Sequence, residues 1–244
     1  MTSLKYKVHT VETVKSTNSS VKALAKDGAP EGYVLVAYGQ TNGRGRLNRV
    51  FFSPEGTGLY VSILLRPTCM LAPYALTCMS AVALAETIES FGIDCGIKWV
   101  NDIYVQSKKA AGILVESALN QDGSFQYAVV GIGVNLFPPE EGFPENISKT
   151  ATALFDTAQD DTLRKQFLKK LLLRFKKYYE QLPEITFYNA YRDRLIGVGA
   201  KVLVSEPEGM RYGTSVGIDR DFRLIVQYDD GTKSMLDRGD VTLL

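Results

Sequence analysis

Two runs, "AAGILVES" and "FQYAVVGIGVNL", meet through Asn120-Gln121-Asp122-Gly123, and this junction limits the fold more than any other feature of the chain. Branched and aromatic residues in both runs suit a pleated surface, and Asp-Gly between such runs marks a tight hairpin. The core therefore holds an antiparallel pair. Further strand candidates are "YKVHTVETV", "GYVLVAYGQ", "GLYVSILLRP" and "GIKWV" continuing through "DIYVQ". Helices separate them. "STNSSVKALAKDG" has hydroxyls suited to an N-cap, and Gly28-Ala29-Pro30 stops it. Residues 72–91, rich in Ala and Leu, read as a core helix.

"DDTLRKQFLKKLLLRFKKYYEQL" is an amphipathic helix capped at Asp160 or Asp161. Leu163, Phe167, Leu171, Phe175 and Tyr178 share its apolar face, and Arg164, Lys169 and Lys176 fall elsewhere. Because folded segments flank it, its basic residues read as a solvated face. Pro183 ends it, and "EITFYNAYRDRL" follows as a short helix. The proline-rich stretch after Leu136 reads as a loop. From Gly197 onward short strands alternate with turns, the texture of a small all-β barrel. The expected organisation is a mixed α/β (α+β) domain over residues 1–195 and a β domain over 196–244.

Apolar content of 45% and charged content of 23% are those of an ordinary globular protein. Lys+Arg 28 against Asp+Glu 27 leaves a net charge of +1, so no global field recruits DNA or an anionic membrane. Any affinity for an anion must be local. With no transmembrane-length apolar run and no hydrophobic signal core, a cytoplasmic protein is expected. Cys69, Cys78 and Cys95 lack zinc-site spacing and read as free thiols, so no structural metal is expected. His9 is the single histidine, which excludes chemistry needing a histidine pair.

Four stretches place reactive residues at strand ends. "GQTNGRGRLNR" crowds Arg44, Arg46 and Arg49 into a loop softened by Gly43 and Gly45, with no acid among them. Guanidinium forks match phosphate or carboxylate, while glycines let backbone amides approach the same group. A plain exposed loop is the competing reading. In "GIGVNL" a strand would put Gly131, Gly133 and Asn135 on one face, leaving room for a ligand or another backbone, with a bulge or a close helix contact as the competing reading. "KWVNDIYVQSKKAAGIL" gathers Lys98, Trp99, Asn101, Asp102, Lys108 and Lys109, either as exposed ion pairs or as a phosphate-binding group. "VKSTNSS" could do no more than cap its helix.

The order of Ser16-Thr17-Asn18, "GQTNGRGR", "KWVNDIYV", "KKAAGIL" and "GIGVNL", followed by a β appendix, resembles the biotin protein ligases over nearly the whole chain. The resemblance implies a class II synthetase-like catalytic domain with a mixed sheet and a C-terminal SH3-like barrel. It implies biotin and ATP with Mg²⁺ as substrates, biotinyl-AMP as intermediate, and a lysine of a biotin carboxyl carrier domain as acceptor. Ser16, Thr17, Asn18, Gln40, Gly43, Arg44, Gly45, Arg46, Lys109, Gly112, Gly131 and Gly133 would then surround biotin. Lys98, Trp99, Asn101, Asp102 and Asn135 would meet ATP together with Arg44, Arg46 and Lys109. Arg44 and Lys109 would carry the chemistry, with the arginine loop as a lid.

The proline usual after the family's tryptophan is Val100 here, so slightly looser positioning of Asn101 and Asp102 is expected. Ser16 comes too early for the helix-turn-helix domain that many relatives carry, so a form without DNA binding is expected, with a homodimer left open. A lipoate ligase and a non-catalytic biotin sensor are the competing functions.

Overall fold

The structure is a computed structural model and describes residues 3–69, 71–72, 74–157, 161–206, 209–237 and 240–244. β1 (Lys7–Val14), α1 (Thr17–Lys26) and β2 (Tyr33–Gln40) make a parallel unit in which Lys7 faces Tyr33 and Val14 faces Gln40. β3 (Gly58–Leu65) returns antiparallel to β2. Residues 41–57 are therefore a long connection at one end of the sheet. After α2 (Ala75–Glu89), an antiparallel meander follows: β4 (Gly96–Lys98), β5 (Asp102–Val105), β6 (Lys108–Leu119) and β7 (Phe125–Asn135). The seven strands lie in the order β1-β2-β3-β7-β6-β5-β4. The expected hairpin is present: Gly123 adopts φ +81° and the Asp122 carboxylate accepts from the Ser124 amide at 2.9 Å.

Alternation along the strands divides the two faces. Val36, Val61, Ile63, Val130 and Ile132 point into the main core with α2 and with α4 (Asp161–Glu180). Leu35, Leu64 and Val129 point the other way and pack on Val21 and Ala25 of α1. α2 is buried on nearly all sides, and its interior Ser80 and Thr87 hydroxyls donate to the carbonyls of Leu76 and Ala83. It is shorter at each end than residues 72–91. α4 begins at Asp161, while the alternative cap Asp160 lies outside the described residues.

One helical position departs from its expected place. Arg164 is buried rather than solvated, with 8% exposure, because it bonds the carbonyls of Gly56 and Gly58 as well as Asp161. Its guanidinium also lies 4.9 Å from the Tyr38 ring centre. A cation can be buried when its donors are satisfied in this way. Arg164 thereby ties the long helix to the end of the 41–57 connection.

The loop after Leu136 contains the short α3 (Glu145–Ser148), and α5 (Tyr188–Arg192) follows α4. The strands beyond are β8 (Lys201–Glu206), β9 (Gly209–Ile218), β10 (Leu224–Tyr228), β11 (Lys233–Leu236) and β12 (Asp240–Leu243). They form an antiparallel sheet in the order β11-β10-β9-β8-β12. Phe222 fastens this sheet to the rest. It is fully buried, stacks on Phe187 at 5.3 Å, and meets Tyr188 and Tyr191 at 5.6 Å each.

Candidate active site

The C-terminal ends of β1, β2 and β7 and the N-terminal ends of β3 and β6 converge at one end of the seven-stranded sheet. A cavity of about 330 Å³ opens there on the α1 side. One end of it is built by the start of α1. Ser16 is the N-cap in extended conformation, and its hydroxyl accepts from the Ser19 amide. Gln40 Oε1 accepts from the Thr17 amide at 2.9 Å, and Gln40 Nε2 donates to Ser53 Oγ at 2.9 Å. Ser62 bridges the Thr17 hydroxyl at 2.8 Å and Asn18 Oδ1 at 2.6 Å. Asn18 Nδ2 in turn donates to the Leu114 carbonyl and to Glu116. Every polar group of this buried cluster is matched, which fixes its shape.

At the other end Lys109 Nζ stands 2.7 Å from Asp102 Oδ1, and Asn101 Nδ2 donates to the same oxygen at 3.0 Å. Asn101 Oδ1 accepts from Arg46 at 2.9 Å, and its Nδ2 also reaches the Ile113 carbonyl. A side chain at Gly112 would put its Cβ 3.2 Å from Lys109 Cε, so glycine gives the lysine–aspartate pair its room. Thr150 and Thr152 bond the Lys109 backbone on both sides, which anchors the proline-rich loop on this strand. Lys98 and Tyr104 border the same end, the ammonium lying 5.7 Å from the ring centre. Lys108, the adjacent residue of β6, is exposed.

The arginine loop is folded over the cavity. Gly45 donates to the Arg49 carbonyl at 2.8 Å and Phe51 to the Gly43 carbonyl at 2.9 Å, so the loop closes on itself. At Gly43 a Cβ would come within 2.3 Å of the Phe51 carbonyl oxygen, a close approach that requires glycine. Arg44 bonds Glu116 at 3.1 Å. Burial pushes the Glu116 carboxyl up, but the Lys22 and Asn18 hydrogen bonds and the charges of Lys22 and Arg44 outweigh it and hold it below the usual carboxylate range.

The glycines of β7 do share one face, but their room is filled from within the chain. A Cβ on Gly131 would lie 2.2 Å from Asn18 Oδ1, and one on Gly133 would lie 2.6 Å from the Phe51 ring. Their smallness admits a polar amide and a lid aromatic, and the cavity is shaped by both. Asn135 stands outside the lining with its amide on the Thr152 carbonyl, and Gly43 is likewise outside it. Trp99 borders the cavity, yet is only 7% exposed and donates its indole N–H to the Phe222 carbonyl at 2.8 Å. Val100 is buried, its carbonyl accepts from the Tyr191 hydroxyl, and the Trp99–Val100 peptide is cis. The Trp99 and Tyr191 hydrogen bonds hold the residues before Asn101 and Asp102 from two sides.

Residue pattern alone did not indicate Ser62, Phe51, Tyr191 or Glu116. Glu116 carries one signal, as the single charge in "AAGILVES". We expect Gly131→Ala to displace Asn18, break its bonds to Ser62, Leu114 and Glu116, and destabilise the protein by about 1–3 kcal/mol, the range for buried polar groups left unsatisfied. Urea midpoints measure it, and unchanged stability would mean that Asn18 is not held by this cluster.

A mixed seven-stranded sheet bearing such a pocket at its end, followed by a five-stranded β domain, defines a class II synthetase-like ligase fold. The chain belongs to the biotin/lipoate A/B protein ligase family, whose model matches residues 10–135. It is 34% identical over 232 residues to the bifunctional ligase/repressor BirA of Bacillus subtilis, covering 92% of this chain and 70% of that one. A biotin–[acetyl-CoA-carboxylase] ligase of Mycobacterium tuberculosis is 30% identical over 240 residues, covering 94% and 82%. The biotin protein ligase from Aquifex aeolicus, solved in complex with biotin and ATP, superimposes with a TM-score of 0.77 at 29% identity, covering 97% and 98%.

Proposed function

We propose that this chain is an ATP-dependent biotin–protein ligase that makes biotinyl-AMP and passes biotin to a lysine of a carboxylase carrier domain. One observation carries the reading. A single cavity has a fully bonded neutral polar cluster at one end and a lysine–aspartate–asparagine–arginine cluster at the other. The first suits an uncharged ureido ring, whose donors and acceptors need fixed partners. The second suits two anions that must be brought together.

In the first step a biotin carboxylate oxygen bonds to the α-phosphorus of ATP, the bond to the bridging oxygen breaks, and pyrophosphate leaves. Lys109 and Arg46 stand where charge grows on the reacting phosphate, and preorganised cations there lower the barrier. Asp102 and Asn101 hold both cations in place. In the second step a carrier lysine amine attacks the acyl carbon, AMP leaves with the bonding pair, and the amine loses a proton. The lid keeps water from the anhydride in between.

Mg²⁺ enters with ATP as part of the substrate. Among the described residues no group of three or more His, Cys, Asp or Glu gathers to form a cage. Asp102 borders the cavity, and a carboxylate plus substrate phosphates is a usual Mg²⁺ environment. Residues 1–195 serve as the catalytic unit and 196–244 as the appended barrel. The net charge of +1 gives no basis for DNA binding, and among the described residues no helix is long and apolar enough to cross a membrane. Activity in the cytoplasm, as a monomer or homodimer, completes the proposal.

The test incubates the protein with labelled biotin, ATP, Mg²⁺ and a biotin carrier domain, with excess unlabelled lipoate in a parallel arm. Labelled carrier undiminished by lipoate is expected. Absence of label across several carriers, with the protein folded, removes the ligase reading, and strong competition by lipoate moves it to the sister activity.

A further inference from the structure

Glu116 has no part in the chemistry above, yet three donors from two segments reach it. β6 carries it two residues beyond Leu114 of the cavity lining, where Lys22 Nζ lies 2.6 Å from Oε1 and Asn18 Nδ2 3.1 Å from Oε2. Arg44 Nη1 reaches both oxygens, at 3.1 and 3.3 Å. The Glu116 side chain is 17% exposed and that of Arg44 37%, so the contact is sheltered though not sealed. Two of the three donors sit on α1, which is packed on the sheet by Val21 and Ala25. The third comes from the loop between β2 and β3, which is held by hydrogen bonds within itself and by one isolated bridge, Arg44 to Val50, rather than by a ladder to a neighbouring strand. Glu116 and α1 are the fixed side of the contact and Arg44 is the movable side.

We propose that Glu116 is the latch of the arginine loop, a positioning residue that binds Arg44 and so closes the loop over the neutral end of the cavity before any ligand arrives. This rests on reading the cavity as the biotin and ATP site. Arg44 then acts chiefly through closure, because its charge is already matched by a protein carboxylate. Arg46 lies deeper in the lining and donates to the Asn101 amide oxygen at 2.9 Å. The latch also lowers the ordering cost that a ligand must meet when a loop closes on it. Its removal should therefore speed biotin release more than it slows the chemical step.

Amide hydrogen exchange over residues 43–51, measured without biotin or ATP, tests the latch directly. The proteins compared are wild type, R44A, E116A, E116Q and the R44A/E116A double variant. Each single variant should raise exchange at the Gly45 and Phe51 amides about two- to fivefold, the range for loss of one partly exposed ion pair. The double variant should add nothing further, since both changes break one bond. Biotin dissociation should accelerate by a similar factor, while kcat for pyrophosphate release changes less than KM. Unchanged loop exchange in E116A, wild-type protection in E116Q, or additive effects in the double variant would each overturn the proposal. Continued protection of β6 and β7 amides certifies folding. Because exchange is read without substrates, its outcome is separate from that of the carrier-labelling assay.

Discussion

Lys109→Ala should lower the rate of biotinyl-AMP formation about a hundred- to a thousandfold, the usual loss when one preorganised transition-state contact is removed. Lys108→Ala should leave it close to wild type. The two lysines are neighbours on β6 and so face opposite ways: Lys109 meets Asp102 at 2.7 Å in the cavity, and Lys108 is exposed. Removing Lys109 does more than subtract one positive charge. It leaves the Asp102 carboxylate, with 20% side-chain exposure, beside the path of two incoming anions without its ammonium partner. That repulsion should appear mainly as a higher KM for ATP, and the lost stabilisation as a lower kcat. Pyrophosphate release at saturating and at limiting ATP separates the two effects. Equal losses in both variants would mean that the register of β6 does not decide which lysine acts.

Much of the architecture could be read from residue pattern because its causes are local. The β6–β7 hairpin follows from branched residues on either side of Asn120-Gln121-Asp122-Gly123, and the change of texture after Gly197 follows from short runs broken by turns. Strand alternation correctly put Gly131 and Gly133 on one face. What alternation could not supply was the occupant of a face. Asn18 over Gly131 and Phe51 over Gly133 are meetings between segments far apart in sequence. Arg164 fails for the same reason. Its position on a helical wheel reads as polar, and only the carbonyls of Gly56 and Gly58 make burial of a guanidinium tolerable. Glu116 reads as an exposed strand residue until Lys22 and Arg44 are brought to it. Spacing yields the direction of a side chain, whereas long-range partners decide what that direction means.

The largest effect on stability should come from outside the cavity. Phe222→Ala is expected to destabilise the protein by about 3–5 kcal/mol, the range for removing a fully buried aromatic ring. Phe222 touches Phe187, Tyr188 and Tyr191, so its loss opens a void where the five-stranded sheet meets α5 and the residues before it. The catalytic consequence runs through two bonds. The Phe222 carbonyl accepts from Trp99, and Tyr191, packed against the Phe222 ring, donates to the Val100 carbonyl. Those bonds fix the turn immediately before Asn101 and Asp102, which in turn hold Arg46 and Lys109. A loosened turn should raise KM for ATP while leaving biotin affinity nearly unchanged, because the Thr17–Asn18–Ser62 cluster lies on α1 and β3 and shares none of these contacts. Phe222→Leu, which keeps most of the volume, should show the same pattern more weakly. Urea midpoints give the stability loss, and pyrophosphate release well below the unfolding transition gives KM. A destabilised Phe222→Ala with wild-type KM for ATP would reduce the aromatic clasp to a structural joint with no hold on the site.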